Sequence, residues 1–152
     1  MVLGTPNRIA AIVDPAFTGV DAQTSMVFGY QSGAQAVLTY TLRAKSPTRA
    51  AVVGTDARIE IKGDFYAPAT VTFLPRAGEP TRIESTHEGH GLRHEADEVA
   101  RRLAAGDVES PRMSLDEAVA IMETMDAVQA QARRGRGPET QAPPGEPEFP
   151  RR

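Results

Sequence analysis

The stretch from Gly91 to Gln131 decides the fold: GLRHEADEVARRLAAGDVESPRMSLDEAVAIMETMDAVQAQ. Its apolar residues recur every three or four positions in two blocks, a spacing that predicts two α-helices. Gly106 follows the first block, at the position where a left-handed glycine commonly ends a helix. Ser114 and Glu117 open the second block with the spacing of a capping box, in which the serine hydroxyl accepts the backbone N–H of Glu117. The stretch therefore predicts two helices joined by a short turn.

Upstream of the helices the period changes, because apolar and polar residues alternate as they do in half-buried β-strands. Short links rich in Gly, Pro, Asp and Ser separate these segments, a pattern typical of antiparallel hairpins. The predicted strands span residues 8–13, 24–30, 35–42, 50–54, 58–62, 70–74 and 81–85. Strands followed by helices predict an α+β fold. We expect an open, mainly antiparallel sheet of about six or seven strands, with the C-terminal helices packed on one face.

The composition indicates one folded domain and a tail. With 152 residues, of which 40% are hydrophobic, the chain can bury a core, and we assign this domain to residues 1–132. Residues 133–152 are rich in Pro, Gly and charge, so we expect them to be disordered. The chain has no cysteine, which excludes a disulfide framework, a thiolate zinc site and a cysteine nucleophile.

Charge and hydropathy exclude several classes of partner. The net charge is -3 and tryptophan is absent, so neither a basic surface nor an aromatic platform for nucleic acid is expected. No apolar run approaches the roughly 20 residues that cross a bilayer. The N-terminus has no signal-peptide pattern, and we expect a cytoplasmic protein without membrane partners.

Two clusters of side chains have the residue types of an active site. His87, His90 and His94 follow a spacing at which three imidazoles can hold zinc with one open position, so a small metal-dependent enzyme is one hypothesis. The simpler interpretation is a Gly-rich loop whose histidines face solvent or form hydrogen bonds, and we predict no metal site. Glu95 and Glu98 could divide acid and base roles. We favour instead the stabilising effect of negative side chains near a helix N-terminus.

The helical stretch also resembles a known family. Its pattern G-x-x-x-E-x-x-E-V-x-x-x-L-x-x-G-x-x-E-S-P is similar to the C-terminal part of the Gfo/Idh/MocA oxidoreductases, in the branch that contains dimeric dihydrodiol dehydrogenases and sugar dehydrogenases. Upstream, Leu3-Gly4-Thr5-Pro6 resembles the L-G-x-P of that family. Further matches are the V-x-G-T hairpin near Gly54 and the F-x-x-P that begins at Phe65. The resemblance extends over most of the predicted domain.

The family motifs that this sequence lacks concern the cofactor. Members of the family begin with a nucleotide-binding domain, yet this sequence contains no G-x-G-x-x-G turn for a pyrophosphate. Its only lysines, Lys45 and Lys62, do not precede a proline, so the family's Lys-Pro motif is also absent. The family's proton-transfer residue would lie upstream of Met1. We therefore assign no catalytic or cofactor-binding residue to this sequence, and we expect that the chain alone binds no cofactor.

The resemblance implies the substrate-side and oligomerisation domain of an NAD(P)-dependent oxidoreductase that acts on a sugar or a dihydrodiol-like polyol. NAD(P) would belong to the full-length family enzyme, and the nucleotide-binding domain would be supplied in cis or in trans. The resemblance also implies a homodimer formed through the sheet, and it places His90 and His94 as candidate substrate-pocket residues. Alternatively, the chain is a stand-alone interaction module that pairs with a separately encoded Rossmann subunit.

Overall fold

The structure is a computed structural model that describes residues 2–67, 70–84 and 91–135. The strands within these ranges are β1 (Arg8–Pro15), β2 (Asp21–Gly29), β3 (Gln35–Thr41), β4 (Ala50–Val53), β5 (Ala57–Lys62), β6 (Thr70–Pro75) and β7 (Thr81–Glu84). The helices are α1 (Leu92–Ala105) and α2 (Leu115–Gly135). All strand pairs are antiparallel, and neither sheet closes on itself. The predicted α+β class with open antiparallel sheet structure and C-terminal helices is confirmed.

The chain divides into two compact units. One consists of residues 1–45 and 113–152, and its described part contains β1–β3 and α2. The other consists of residues 46–112 and contains β4–β7 and α1. The strands accordingly lie in two sheets, ordered β1-β2-β3 and β4-β5-β6-β7, where the sequence predicted one. Alternation predicts which neighbours form hairpins, but it carries no signal for a break between two hairpins.

In the first unit the core lies between the sheet and α2. Strand register places Ile9 opposite Phe28 and Met26 opposite Leu38, so these side chains share one face. Helix α2 packs on that face along β1. The buried apolar residues of the described ranges, Ala22, Tyr30 and Val128, all belong to this unit.

In the second unit the strands separate an apolar face from a polar one. Val52, Ile59 and Phe73 lie side by side on β4, β5 and β6. The other face carries charged residues, among them Arg58, whose Nε donates to Glu60 Oε1 at 2.8 Å. The apolar alternation predicted from the sequence is therefore present, although most of these side chains remain partly exposed.

The helix ends match the sequence signals. Gly106 has a φ of 80°, and its N–H contacts the carbonyl oxygens of Arg102 and Leu103, as expected for a left-handed residue that ends α1. At the start of α2, the backbone N–H of Glu117 donates to Ser114 Oγ at 3.1 Å, which confirms the predicted cap. Helix α2 continues to Gly135 instead of ending near residue 132. The remainder of the predicted tail lies outside the described residues.

Candidate functional site

The first unit contains an apolar cavity of about 300 Å³. Its floor is formed by side chains from β2 and β3, including Met26, Phe28 and Leu38. One wall is formed by α2, where Ile121, Met125 and Val128 line the cavity. This volume lies at the lower end of the range for small-molecule sites. The lining offers van der Waals contact and few hydrogen-bonding groups.

A polar cluster lies at the end of the cavity near the start of β2. The Tyr40 hydroxyl donates to Asp21 Oδ2 at 3.2 Å, and Gln129 Nε2 donates to the same carboxylate oxygen. Tyr40 and Gln129 also line the cavity. The cluster joins β2, β3 and α2, so it fixes the helix over the sheet and supplies polar groups at the rim.

The other end of the cavity is formed by the beginning of the chain. Gly4 and Pro6 are lining residues, and the backbone N–H of Asn7 donates to the carbonyl oxygen of Gly29 at 3.0 Å. Gly29 ends β2, whereas Asp21 begins it. The cavity therefore runs along β2 from a polar end at Asp21 to the segment through which the chain enters β1.

In the second unit, Glu98 is the centre of a polar network. Glu98 Oε1 accepts from Arg102 Nε at 2.8 Å and from the Ser110 hydroxyl at 2.7 Å, and Arg101 pairs with the other carboxylate oxygen. Arg102 also pairs with Asp107 at 3.1 Å. Only 15% of the Glu98 side chain is exposed. A carboxylate with this many donors ties α1 to the turn that follows it, which is a structural role.

The chain resembles parts of larger oxidoreductases. No protein-family model matches it. It is 32% identical to trans-1,2-dihydrobenzene-1,2-diol dehydrogenase from Xenopus tropicalis over 117 residues, which cover 72% of this chain and 34% of that protein. It is 31% identical to D-xylose 1-dehydrogenase (NADP(+)) 2 from Haloferax volcanii over 138 residues, which cover 89% of this chain and 42% of that protein. Both matches fall in the C-terminal part of the relative.

Solved structures show the same fold. Aldose-aldose oxidoreductase from Caulobacter crescentus, complexed with glycerol, matches with a TM-score of 0.70 at 18% identity, over 87% of this chain and 40% of that one. An oxidoreductase from Agrobacterium radiobacter in complex with NAD+, L-tartaric acid and magnesium matches with a TM-score of 0.68 at 15% identity, over 89% and 43%. The chain matches the C-terminal part of dihydrodiol and xylose dehydrogenases, and its structural neighbours lie in the Gfo/Idh/MocA family. It corresponds to the C-terminal part of these oxidoreductases, and it spans 34% of one curated relative and 42% of the other.

Of the histidine candidates, only His94 lies within the described residues, and it does not line the cavity. His94 lies in the first turn of α1, where its backbone N–H donates to the carbonyl oxygen of Gly91 at 2.9 Å and its side chain is exposed. His87 and His90 fall outside the described residues, so the hypothesis of a three-histidine metal site does too. Within the described ranges, no three histidine or acidic side chains cluster in a way that could hold a metal ion.

The methionines and tyrosines have more varied environments than the sequence indicated. Met122 and Met125, which helical spacing assigns to the core, are more than half exposed on α2. Tyr66 lies in a turn after β5, edge-on to the Phe65 ring at 5.7 Å between centroids. Tyr40 is a strand residue, as predicted, and its hydroxyl also donates a hydrogen bond to Asp21.

The apolar cavity is the feature of this domain that the sequence analysis did not predict. Its lining combines residues 4–6, 26–30, 38–40 and 121–129, which are distant along the chain. The sequence signal that could have predicted the cavity is the apolar face shared by β2 and β3, because a single helix that packs along β1 cannot cover it. None of the helices in the described part of the chain is long and apolar enough to cross a membrane.

Proposed function

We propose that this chain is the C-terminal, substrate-side and dimerisation domain of an NAD(P)-dependent oxidoreductase that acts on a sugar or a dihydrodiol-like polyol. The observation that carries the proposal is the match to the C-terminal part of the dihydrodiol and xylose dehydrogenases, at 32% and 31% identity. The polyol class follows from the substrates named for these relatives. Both named substrates present neighbouring hydroxyl groups, and the proposed domain recognises this shared polyol chemistry.

The nicotinamide cofactor would be held by the part of the enzyme that precedes this domain. A dinucleotide needs a Gly-rich turn that lets the backbone approach the pyrophosphate at a helix N-terminus, and this sequence has no such turn. NAD+ is bound in the Agrobacterium radiobacter oxidoreductase, which supports a nicotinamide cofactor for the whole enzyme. Oxidation of an alcohol removes a hydride and a proton, so the chain alone is expected to be inactive without the hydride acceptor.

A homodimer formed through the β1–β3 sheet is part of the proposal. The face opposite α2 carries Ile12, Val27 and Val37, and two of these side chains are almost four-fifths exposed, at 79% for Ile12 and 78% for Val37. Val27 and Val37 are directly opposed across β2 and β3. Next to them, the hydroxyls of Ser25 and Thr39 lie 3.3 Å apart. This centre of the face is uncharged, as favoured at the core of a subunit interface.

We also propose that His90 and His94 contribute to the substrate side of the complete enzyme. An imidazole can donate a hydrogen bond to a substrate hydroxyl or accept one from it. His94 lies in the first turn of α1, and its side chain is exposed. The proposed role is binding of the polyol and not transfer of its proton, since the family's proton-transfer residue would lie upstream of Met1.

The proposal is tested by fusing this chain to the N-terminal portion of a relative. The portion of the Xenopus tropicalis enzyme that precedes its matched region is fused before Leu3, and the fusion is assayed with NAD+ or NADP+ on trans-1,2-dihydrobenzene-1,2-diol and D-xylose. We expect formation of reduced nicotinamide with at least one of these substrates, and none with the Xenopus portion alone. A fusion that binds the nucleotide but oxidises no diol or sugar would contradict the proposed function.

A further inference from the structure

The outer face of the β1–β3 sheet, which lies opposite α2, carries opposite charges at its two ends. On β1 the exposed residues Arg8, Ala10, Ile12 and Asp14 alternate with half-buried ones, so all four belong to this face. Arg8 lies at one end of the strand and Asp14 near the other. At a rise of about 3.4 Å per residue their Cα atoms are about 20 Å apart, so the two side chains cannot pair within one chain.

The guanidinium of Arg8 lies against the outer face. Arg8 is opposite Gly29 in the strand register. A Cβ added at Gly29 would meet Arg8 Nε at 2.9 Å and Nη2 at 3.2 Å, so the guanidinium occupies the space that a side chain at residue 29 would take. No ion pair within the described ranges involves Arg8. The positive charge therefore faces any molecule that covers this sheet.

The carboxylate of Asp14 at the other end can accept a second cation. Arg43 Nη1 lies 2.7 Å from Asp14 Oδ2, and the two side chains remain 50% and 53% exposed. Arg43 Nη2 also donates to the carbonyl oxygen of Pro15 at 3.2 Å. Because a carboxylate offers several lone pairs on its two oxygens, the contact with Arg43 leaves acceptor capacity for another guanidinium.

Two-fold symmetry allows two orientations of a face-to-face dimer with aligned strands, because residue i of one copy contacts residue j of the other and j contacts i. An axis that crosses the strands places β1 over β1 in opposite directions, so Arg8 faces the partner's Asp14. An axis along the strands places β1 over β3, so Arg8 faces the partner's Gln35 and Asp14 faces the partner's Thr41. Only the first orientation pairs the charges. The outer-face residues between the charged ends are uncharged: Ala10, Ile12, Ser25, Val27, Val37 and Thr39.

We propose that two copies of this chain align their outer faces about an axis that crosses the strands, so that Arg8 of each copy pairs with Asp14 of the other. The existence of the dimer rests on the proposed function, and the inference concerns the charge pair that orients it. Facing sheets cross at about 30°, and the long Arg8 side chain spans the resulting offset at the edge strand. Two ion pairs at the rim of an uncharged centre fix the orientation and select a second copy as the partner.

Charge reversal tests this orientation. Arg8→Glu and Asp14→Arg each place like charges at both contacts of a homodimer, whereas a 1:1 mixture of the two variants has opposite charges at both contacts of the heterodimer. Every chain, including the reference, carries Arg43→Gln, because Arg43 would repel an arginine introduced beside it. Glu123→Arg, exposed on α2, is the control with the same change in net charge as Asp14→Arg. Sedimentation equilibrium gives the Kd of each chain and of the mixture.

We expect each reversal to raise the dimer Kd about tenfold or more, because like charges then face each other at two contacts. The mixture, and the double variant Arg8→Glu/Asp14→Arg in one chain, should return to within about threefold of the reference. Glu123→Arg should change the Kd less than about twofold.

The outcomes separate the orientation from the dimer itself. A reference chain that dimerises, with single variants as tight as the reference or a mixture no tighter than the separate variants, overturns the Arg8–Asp14 orientation and leaves the proposed dimer intact. A reference chain that stays monomeric overturns both. Recovery in the mixture cannot come from misfolded variants, since mixing two misfolded chains would not restore complementary contacts.

Discussion

At the scale of single residues, Thr24 is the clearest candidate for a gain in stability. It is 1% exposed in the first unit, and its hydroxyl has no hydrogen-bond partner among the described residues. A buried polar group without a partner lowers stability, so Thr24→Val should raise the free energy of unfolding by about 1 kcal/mol. Urea unfolding measures this change. Thr39→Val, at an exposed position on β3, serves as the control, and a loss of stability in Thr24→Val would show that the hydroxyl is bonded.

Glu98 is bonded to three side chains of the second unit. Glu98→Ala removes an acceptor from Arg102 and Ser110, which should destabilise α1 by about 1–3 kcal/mol because charged donors lose their partner. The exposed Glu95 lies nearer the helix N-terminus, and Glu95→Ala should cost at most about 1 kcal/mol. Amide hydrogen exchange of α1 compares the two variants. Equal protection in both would contradict a structural role specific to Glu98.

At the scale of elements, the end of α1 depends on backbone conformation alone. Gly106 has a φ of 80°, and no heavy atom of the surrounding described residues beyond its own chain neighbours lies within 4 Å of the position where a Cβ would be added. Gly106→Ala should therefore lower the free energy of unfolding by about 1 kcal/mol, because alanine is strained in the left-handed backbone conformation and not because its Cβ clashes with a neighbour. Gly106→Asn should lose less, since asparagine tolerates this region. Thermal unfolding should rank the native protein as most stable, Gly106→Asn next and Gly106→Ala last. An alanine variant as stable as the native protein would refute this explanation.

Local sequence signals predicted most of the elements. Each predicted strand and helix is present, and the errors are small shifts, such as the start of β2 at Asp21 instead of Thr24. The period of two or of about 3.6 residues is a local property, and the caps at Gly106 and Ser114 are local too. These features therefore follow from neighbouring residues.

The division into two sheets and the apolar cavity were not predictable in this way. Between β3 and β4 the chain passes through Ser46 and Pro47 without strand pairing, and alternation on either side gives no sign of it. The cavity depends on the lateral position of α2 over the sheet. That position is set by long-range contacts, such as the bond between Gln129 and Asp21, which no spacing along the sequence encodes.

At the scale of the whole molecule, the proposed dimer accounts for an exposed apolar face. The proposed dimer buries the outer face of the β1–β3 sheet, so Val37→Lys would place an ammonium in an apolar interface at a high desolvation cost. We expect this variant to be monomeric in sedimentation equilibrium at concentrations where the native chain is dimeric. Glu123→Lys, exposed on α2, should leave the dimer intact. A dimer that persists in Val37→Lys would contradict an interface at this face.

The central claim is that this chain is the part of an oxidoreductase that does not hold the nucleotide. Calorimetric titration with NAD+ and NADP+ tests it most directly, with the chain alone and its fusion to the Xenopus tropicalis N-terminal portion measured side by side. We expect saturable binding to the fusion and no binding heat with the chain alone. Saturable binding of either nucleotide to the chain alone with a Kd of about 1 μM, which corresponds to a binding free energy of about -8 kcal/mol, would contradict this claim.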